Sequence, residues 1–213
     1  MKLALMPLNS VLFPWMPVTL SIYEQRYLDM LRDVLDGARV FGVALIAEGK
    51  EVGGPAVPHR VGTEVMVAKA WETDDGSWRI VGVGRHRFEI ADVVGQDPYP
   101  IAEVEYRGWH EIDEAPPELV DQVRRLFREH LALLTELLGI GGAELTIPDS
   151  PARLSYMVAA HLGVTLQERQ RLLEIRTPAE RLEAELELLR QDVDKMKIFS
   201  AAGKHDPPDE RLN

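Results

Sequence analysis

The spacing of hydrophobic and polar positions changes character several times along this chain. Before residue 23 the apolar residues form two short runs, 3–6 and 18–22, that read as strands. Pro14 and Pro17, inside VLFPWMPVTL, exclude a helix or a central strand between them. From Tyr23 the spacing becomes helical. Tyr27, Leu28, Leu31, Val34 and Leu35 share one face, Glu24, Arg26, Asp29, Arg32 and Asp33 take the other, and Gly37 follows as a C-cap. Five β-type runs come next, at 40–47, 61–71, 78–84, 86–94 and 100–108, with Asp75-Gly76 as a hairpin signal between the second and third. They are short, close together and broken by Gly42, Gly62, Gly82 and Gly84. That predicts a small barrel of bent strands, plugged or flanked by the early helix.

Past Glu111 the strand pattern stops. Asp113, Glu114, Pro116 and Pro117 lead into helical spacing: one helix opened by Pro117 and ended by Gly139, and one capped by Asp149-Ser150-Pro151 and ended by Gly163. A capping box at Thr165–Glu168 and a second start signal at Thr177–Glu180 predict a helical hairpin. In its last helix Leu182, Leu186, Leu189, Val193 and Met196 form a seam for packing on neighbouring helices. The fold class is therefore α+β, with a β-rich domain over 1–110, a helical bundle over 111–200 and a disordered tail over 201–213.

Charge narrows the functional classes. Lys+Arg 24 against Asp+Glu 35 gives a net charge of −11, unfavourable for non-specific binding to nucleic acid or to an anionic membrane. With no cysteine there is neither a disulfide framework nor a thiolate metal site. The apolar start, MKLALMPLNSVLFPWMPVTL, is interrupted by Pro7, Asn9, Pro14 and Pro17 and lacks a small-residue cleavage site. It does not read as a signal peptide. No uninterrupted apolar run reaches membrane-spanning length, and the expected location is the cytoplasm.

Catalytic motifs are missing from the sequence. Neither a G-x-x-x-x-G-K-[ST] phosphate loop nor a G-x-S-x-G elbow occurs, and His59, His86, His110, His130, His161 and His205 lie too far apart to pair on a metal by local spacing. No cofactor is expected. Glu103 and Glu105 alternate with apolar residues and project from one strand face roughly 7 Å apart, which fits a solvated face better than a pair of catalytic acids. Arg79, Arg85 and Arg87, near Trp78 and Phe88, form the alternative nucleic-acid face. The strongest signal is the proline-braced loop. Pro14 and Pro17 hold it extended, so its side chains point to alternate sides, and at least one of Phe13, Trp15 and Met16 faces solvent as a contact for apolar peptide segments.

The order MPLNSVLFP, SIYEQRY, GTEVMV, GVGRHRFEI, PYPIAEVE and the late helical SYMVAAHLGVTLQERQRLLEIRTPAERLEAELELL resembles the amino-terminal substrate-binding domain of Lon proteases, and more closely the stand-alone proteins made of that domain. The resemblance spans about residues 1–198 and rests most on Ile22–Tyr27. It implies a PUA-like pseudo-barrel followed by a helical bundle. It also implies a non-enzymatic module that binds unfolded or apolar polypeptide, with a protease or chaperone as a partner in trans, since the matching stretch contains neither the ATPase nor the peptidase domain. It supplies no catalytic residue. At Trp15 this sequence departs from the family pattern, in which that position is a small residue, commonly glycine.

Overall fold

Alternating apolar positions over the first half fold as strands because one side chain in two can then be buried. The computed structural model describes residues 1–54, 56–106, 113–139 and 145–203, and the side chains up to residue 200. Six strands are present among them: β1 (Lys2–Leu8), β2 (Pro17–Ile22), β3 (Val40–Gly49), β4 (Ala56–Glu72), β5 (Trp78–Gly95) and β6 (Ile101–Glu105). Helix α1 (Gln25–Asp36) lies between β2 and β3. The strands make one sheet in the order β2-β5-β4-β3-β1-β6. A further β5–β6 pairing joins β1, β3, β4, β5 and β6 into a ring.

The strands expected at 78–84 and 86–94 are one long strand, because β5 serves two neighbours in turn. Trp78–Val83 pair with β2, and Glu89–Gly95 pair with β6. The bend between them is a bulge: Val65 faces Gly84 but Thr63 faces Arg87, so β5 holds one extra residue there. Inside, Tyr27, Met30, Leu31 and Val34 of α1 pack with Met6, Val18, Ile22, Phe41, Val65 and Ile80. Burying each such side chain contributes roughly 1.5–3 kcal/mol.

The Ile22–Tyr27 segment is structural in this setting. Ile22 and Tyr27 enter the core. Arg26 lies 3.0 Å from the Glu24 carboxylate and donates to the carbonyls of Glu51 and Gly54, while Glu24 accepts from the Gly53 N–H. Together they fasten the turn after β3 to the start of α1.

The chain divides into two compact units: Met1–Ile112 with Val164–Thr177, and Asp113–Gly163 with Pro178–Asn213. This differs from a single division at 110/111, since α4 (Leu166–Glu174) groups with the strands. Leu172 and Leu173 of α4 are buried, and two buried polar side chains tie it to the strands. Gln170 donates to the Val61 carbonyl at 3.0 Å. Arg87, 3% exposed, donates to the carbonyls of Leu173 (2.7 Å), Ile175 and Arg176 (3.1 Å), satisfying the orphan C-terminal carbonyls of α4 with a positive charge.

The second unit holds α2 (Pro117–Leu138), α3 (Pro151–His161) and α5 (Pro178–Gly203). Pro117 and Pro151 occupy first helical positions, the Ser150 hydroxyl accepts from the Arg153 N–H, and Gly139 closes α2 with φ 62°. Leu182, Leu189 and Val193 of the expected seam are buried, Leu186 and Met196 partly so. Arg181 is buried beside them, 3.8 Å from the centroid of the Tyr156 ring and bonded through Nε to the Ser155 hydroxyl at 2.9 Å. Glu185, one turn further on, is fully buried, and burial pushes its carboxyl well above the usual range against the opposing pull of Arg181. The tail expected at 201–213 begins inside α5, and 204–213 lie outside the described residues.

Candidate functional site

The proline-braced loop is a turn rather than an extended segment. The Met16 N–H donates to the Phe13 carbonyl at 3.3 Å, Pro14 stands second in the turn, and Trp15, third, has φ 61°. Proline second and a positive φ third characterise a type II turn, whose third position ordinarily requires glycine. The glycine expected from the family pattern thus has a backbone reason. Trp15 occupies the position at a conformational cost of about 1–2 kcal/mol.

Gly84 pins this turn. The Trp15 N–H donates to the Gly84 carbonyl at 2.7 Å and the Gly84 N–H donates to the Met16 carbonyl at 3.0 Å, so two loop residues oppose one on β5. A Cβ at Gly84 would lie 2.3 Å from the Phe13 carbonyl oxygen, so a side chain there would push the loop away from β5. The Thr63 hydroxyl, buried, donates to the Leu12 carbonyl at 2.7 Å. These bonds set the directions of the three candidate residues. Phe13 is core, 2% exposed; Met16 is half-buried; Trp15 is 39% exposed. Alternation of an extended chain would have placed Phe13 and Trp15 on the same side, and the turn at Pro14 separates them.

Strand register continues this surface across the sheet. Pro17 faces Val83, Val83 faces Met66, and Met66 faces Val40, forming a row on the side opposite the buried Ile80 and Val65. Met66 is 41% exposed. The next rows are Thr19, Val81 and Lys69, then Ser21, Arg79 and Trp71. The Lys69 ammonium lies over the Trp71 ring, 5.0 Å from its centroid. Trp15, Pro17, Val83, Met66 and Val81 therefore make one apolar strip, with Arg79 at one end, Lys69 beside it and Arg85 at the other. Sequence reasoning missed Pro17, Met66, Val81 and Val83, because only the β2–β5–β4 register brings them together.

The three arginines of the alternative face separate. Arg79 is exposed on the strip. Arg85 is exposed and lies 3.6 Å from the buried Glu64 carboxylate, which also accepts from the Tyr106 hydroxyl; burial and that carboxylate hold Tyr106 above its ordinary pKa. Arg87 points into the protein and anchors α4. The bulge at Arg85 and His86 resets the alternation, leaving both of those residues exposed and both Arg87 and Phe88 buried. Glu103 faces Lys2 and Asp92 in register and Glu105 faces Glu89, all on strands with exposed carboxylate positions. The His161 Nδ1–H donates to the Met157 carbonyl (2.7 Å), and the ring meets Phe127 edge-on, a packing role. His130 is buried, stacked on Phe127 and 3.5 Å from Asp192, and burial holds its pKa below the ordinary value. His110 and His205 lie outside the described residues. Among the described residues no helix is long and apolar enough to cross a membrane.

Comparison with known proteins bears on the whole of this architecture. Residues 2–191 match the family model described as the ATP-dependent protease La (LON) substrate-binding domain. The chain is 28% identical over 200 residues to a Lon protease of Anaeromyxobacter dehalogenans, covering 92% of this chain and 24% of that protein, and 26% identical over 204 residues to Lon protease 2 of Myxococcus xanthus, with 92% and 24% covered. It spans about a quarter of the length of the curated relatives it matches. Among solved structures, a Lon N-terminal domain protein from Xanthomonas campestris superposes with a TM-score of 0.69 at 29% identity, covering 87% of this chain and 97% of that one. The N-terminal domain of a Mycobacterium avium complex Lon protease gives 0.66 at 17% identity, a likeness of fold, covering 89% and 98%.

Proposed function

Because this chain belongs to the Lon substrate-binding domain family, we propose that it is a non-enzymatic module that holds unfolded, apolar polypeptide segments on the strip formed by Trp15, Pro17, Val83 and Met66. In this reading the ring of strands with α1 is a PUA-like pseudo-barrel, α2, α3 and α5 are its helical bundle, and the module works in the cytoplasm alongside a protease or chaperone in trans. The observation that carries the proposal is the exposed Trp15 at a turn position suited to glycine. Strained residues persist where something else over-determines them, and functional sites are where they cluster.

The physical mechanism is desolvation on a preorganised surface. At 39% exposure Trp15 offers about 100 Å² of further burial, on the order of 2–3 kcal/mol if a client covers it fully. The hydrogen bonds through Gly84 and Thr63 fix the loop before binding, which lowers the ordering cost on association. A labelled unfolded peptide with apolar residues, followed by fluorescence anisotropy, tests this reading. Trp15→Ala is expected to weaken binding by roughly 10-fold or more while the fold persists. Equal affinity in the two proteins removes the strip from the account.

A second reading has its own support: Arg79, Arg85 and Lys69 flank the strip and Trp71 lies among them, as on a surface for single-stranded RNA. Salt discriminates. Phosphate-driven affinity falls steeply with ionic strength, and apolar peptide binding does not.

A further inference from the structure

We infer that this strip selects polypeptide segments in which an aromatic or large aliphatic residue is flanked by aspartate or glutamate, an inference that rests on the polypeptide-binding reading above. The ground is charge placement. The chain as a whole carries −11, yet the cations Arg79, Lys69 and Arg85 border one apolar strip. Along β5 the outward positions read Arg79, Val81, Val83, Arg85, with two aliphatic residues between two guanidinium groups. Their Cα atoms are six residues apart on a strand, about 20 Å, which an extended client of about seven residues spans. Lys69 stands beside the middle, opposite Val81.

The nearest carboxylate, that of Glu64, pairs with Arg85 at 3.6 Å and offsets its charge, so Arg79 and Lys69 carry the cationic edge of the strip. Glu64 is buried and shared between Arg85 and the Tyr106 hydroxyl, and Glu72 sits at the end of β4, opposite Trp78. The centre of the strip favours a peptide over a nucleic acid. Pro17, Val83, Val81 and Met66 offer aliphatic contact for a side chain, whereas a run of bases is held by successive aromatic faces and a longer track of cations. An acidic residue beside a Trp, Phe or Leu would meet Arg79 or Lys69 while the apolar side chain covers Val81 and Val83.

Exposed ion pairs each change affinity by about 1.5- to 5-fold, so the two to Arg79 and Lys69 separate favoured from disfavoured clients by up to about 10-fold at low salt. The test uses the full chain and three labelled peptides with the same apolar centre, flanked by Asp/Glu, by Ser, or by Lys/Arg, together with a labelled oligouridylate, each titrated at low and at high salt. The inference expects the Asp/Glu peptide to bind tightest and the Lys/Arg peptide weakest. The gap should close at high salt and also in the Arg79→Gln/Lys69→Gln double variant. Equal affinities, or a preference for the Lys/Arg peptide, overturn the selectivity and leave polypeptide binding standing. Oligouridylate bound in preference to every peptide transfers the strip to nucleic acid, and binding of none of the probes removes the parent reading as well.

Discussion

Replacing Trp15 by alanine and, separately, by glycine isolates the backbone cost at this position. Both substitutions delete the indole and its packing, so whatever the side chain contributes to the fold is lost equally. They differ in the turn. Alanine must still hold φ near 61°, where a Cβ costs about 1–2 kcal/mol, and glycine adopts it freely. Against this, glycine's looser unfolded chain costs about 0.5–1 kcal/mol relative to alanine. The difference leaves Trp15→Gly more stable than Trp15→Ala by roughly 0.5–1 kcal/mol, the reverse of the usual order at a helix or strand position. In a chain of this size that is a Tm gap of about 2–4 °C or less, and it is better resolved as a shift in urea midpoint at unchanged slope. Peptide affinity should fall alike in both variants. Alanine equal to or more stable than glycine would refute the positive-φ turn as the feature that sets Trp15 apart.

Two further predictions concern how the units are held together internally. Arg87→Met leaves three carbonyls at the end of α4 without their charged donor, and should destabilise the first unit by about 2–4 kcal/mol. Limited proteolysis should then cut within 164–177 where wild type resists, and an unchanged melt and digest would count against the anchor. Glu185 gives a pH signature: a carboxyl raised in the folded state contributes stability that is complete below the unfolded value near 4.5 and is lost as pH rises through the folded value. Glu185→Gln should therefore melt with a flatter pH dependence, its advantage over wild type larger at about pH 8 than at about pH 5. Parallel pH profiles for the two proteins would contradict a buried, proton-retaining Glu185.

Elements with a strong local period were legible in the sequence: α1 from its apolar stripe, α2 and α3 from proline at the first turn, α4 from its capping box. What escaped depended on contacts far apart in the chain. Arg87 reads as a solvent-facing strand residue until the bulge resets its face and α4 offers it carbonyls 86 to 89 positions away. Arg181 and Glu185, one turn apart, go into the interior together, and nothing in the local sequence marks two charged residues as buried. At the candidate site, Trp15 was visible because an exposed aromatic between prolines is locally odd. Met66, Val81 and Val83 were not, because ordinary strand residues become a surface strip only through register. The type II turn escaped as well: Pro14 suits its second position, but tryptophan at the glycine position hid it, and from sequence the loop reads as extended.

The most direct measurement is photo-crosslinking of an unfolded peptide that carries a benzophenone beside its apolar residue, with the adducts located by mass spectrometry on the full chain. The account predicts adducts concentrated on 15–17, Met66 and 81–83, and their loss in Trp15→Ala. Adducts confined to the helices of the second unit, or spread without preference over the surface, would contradict it.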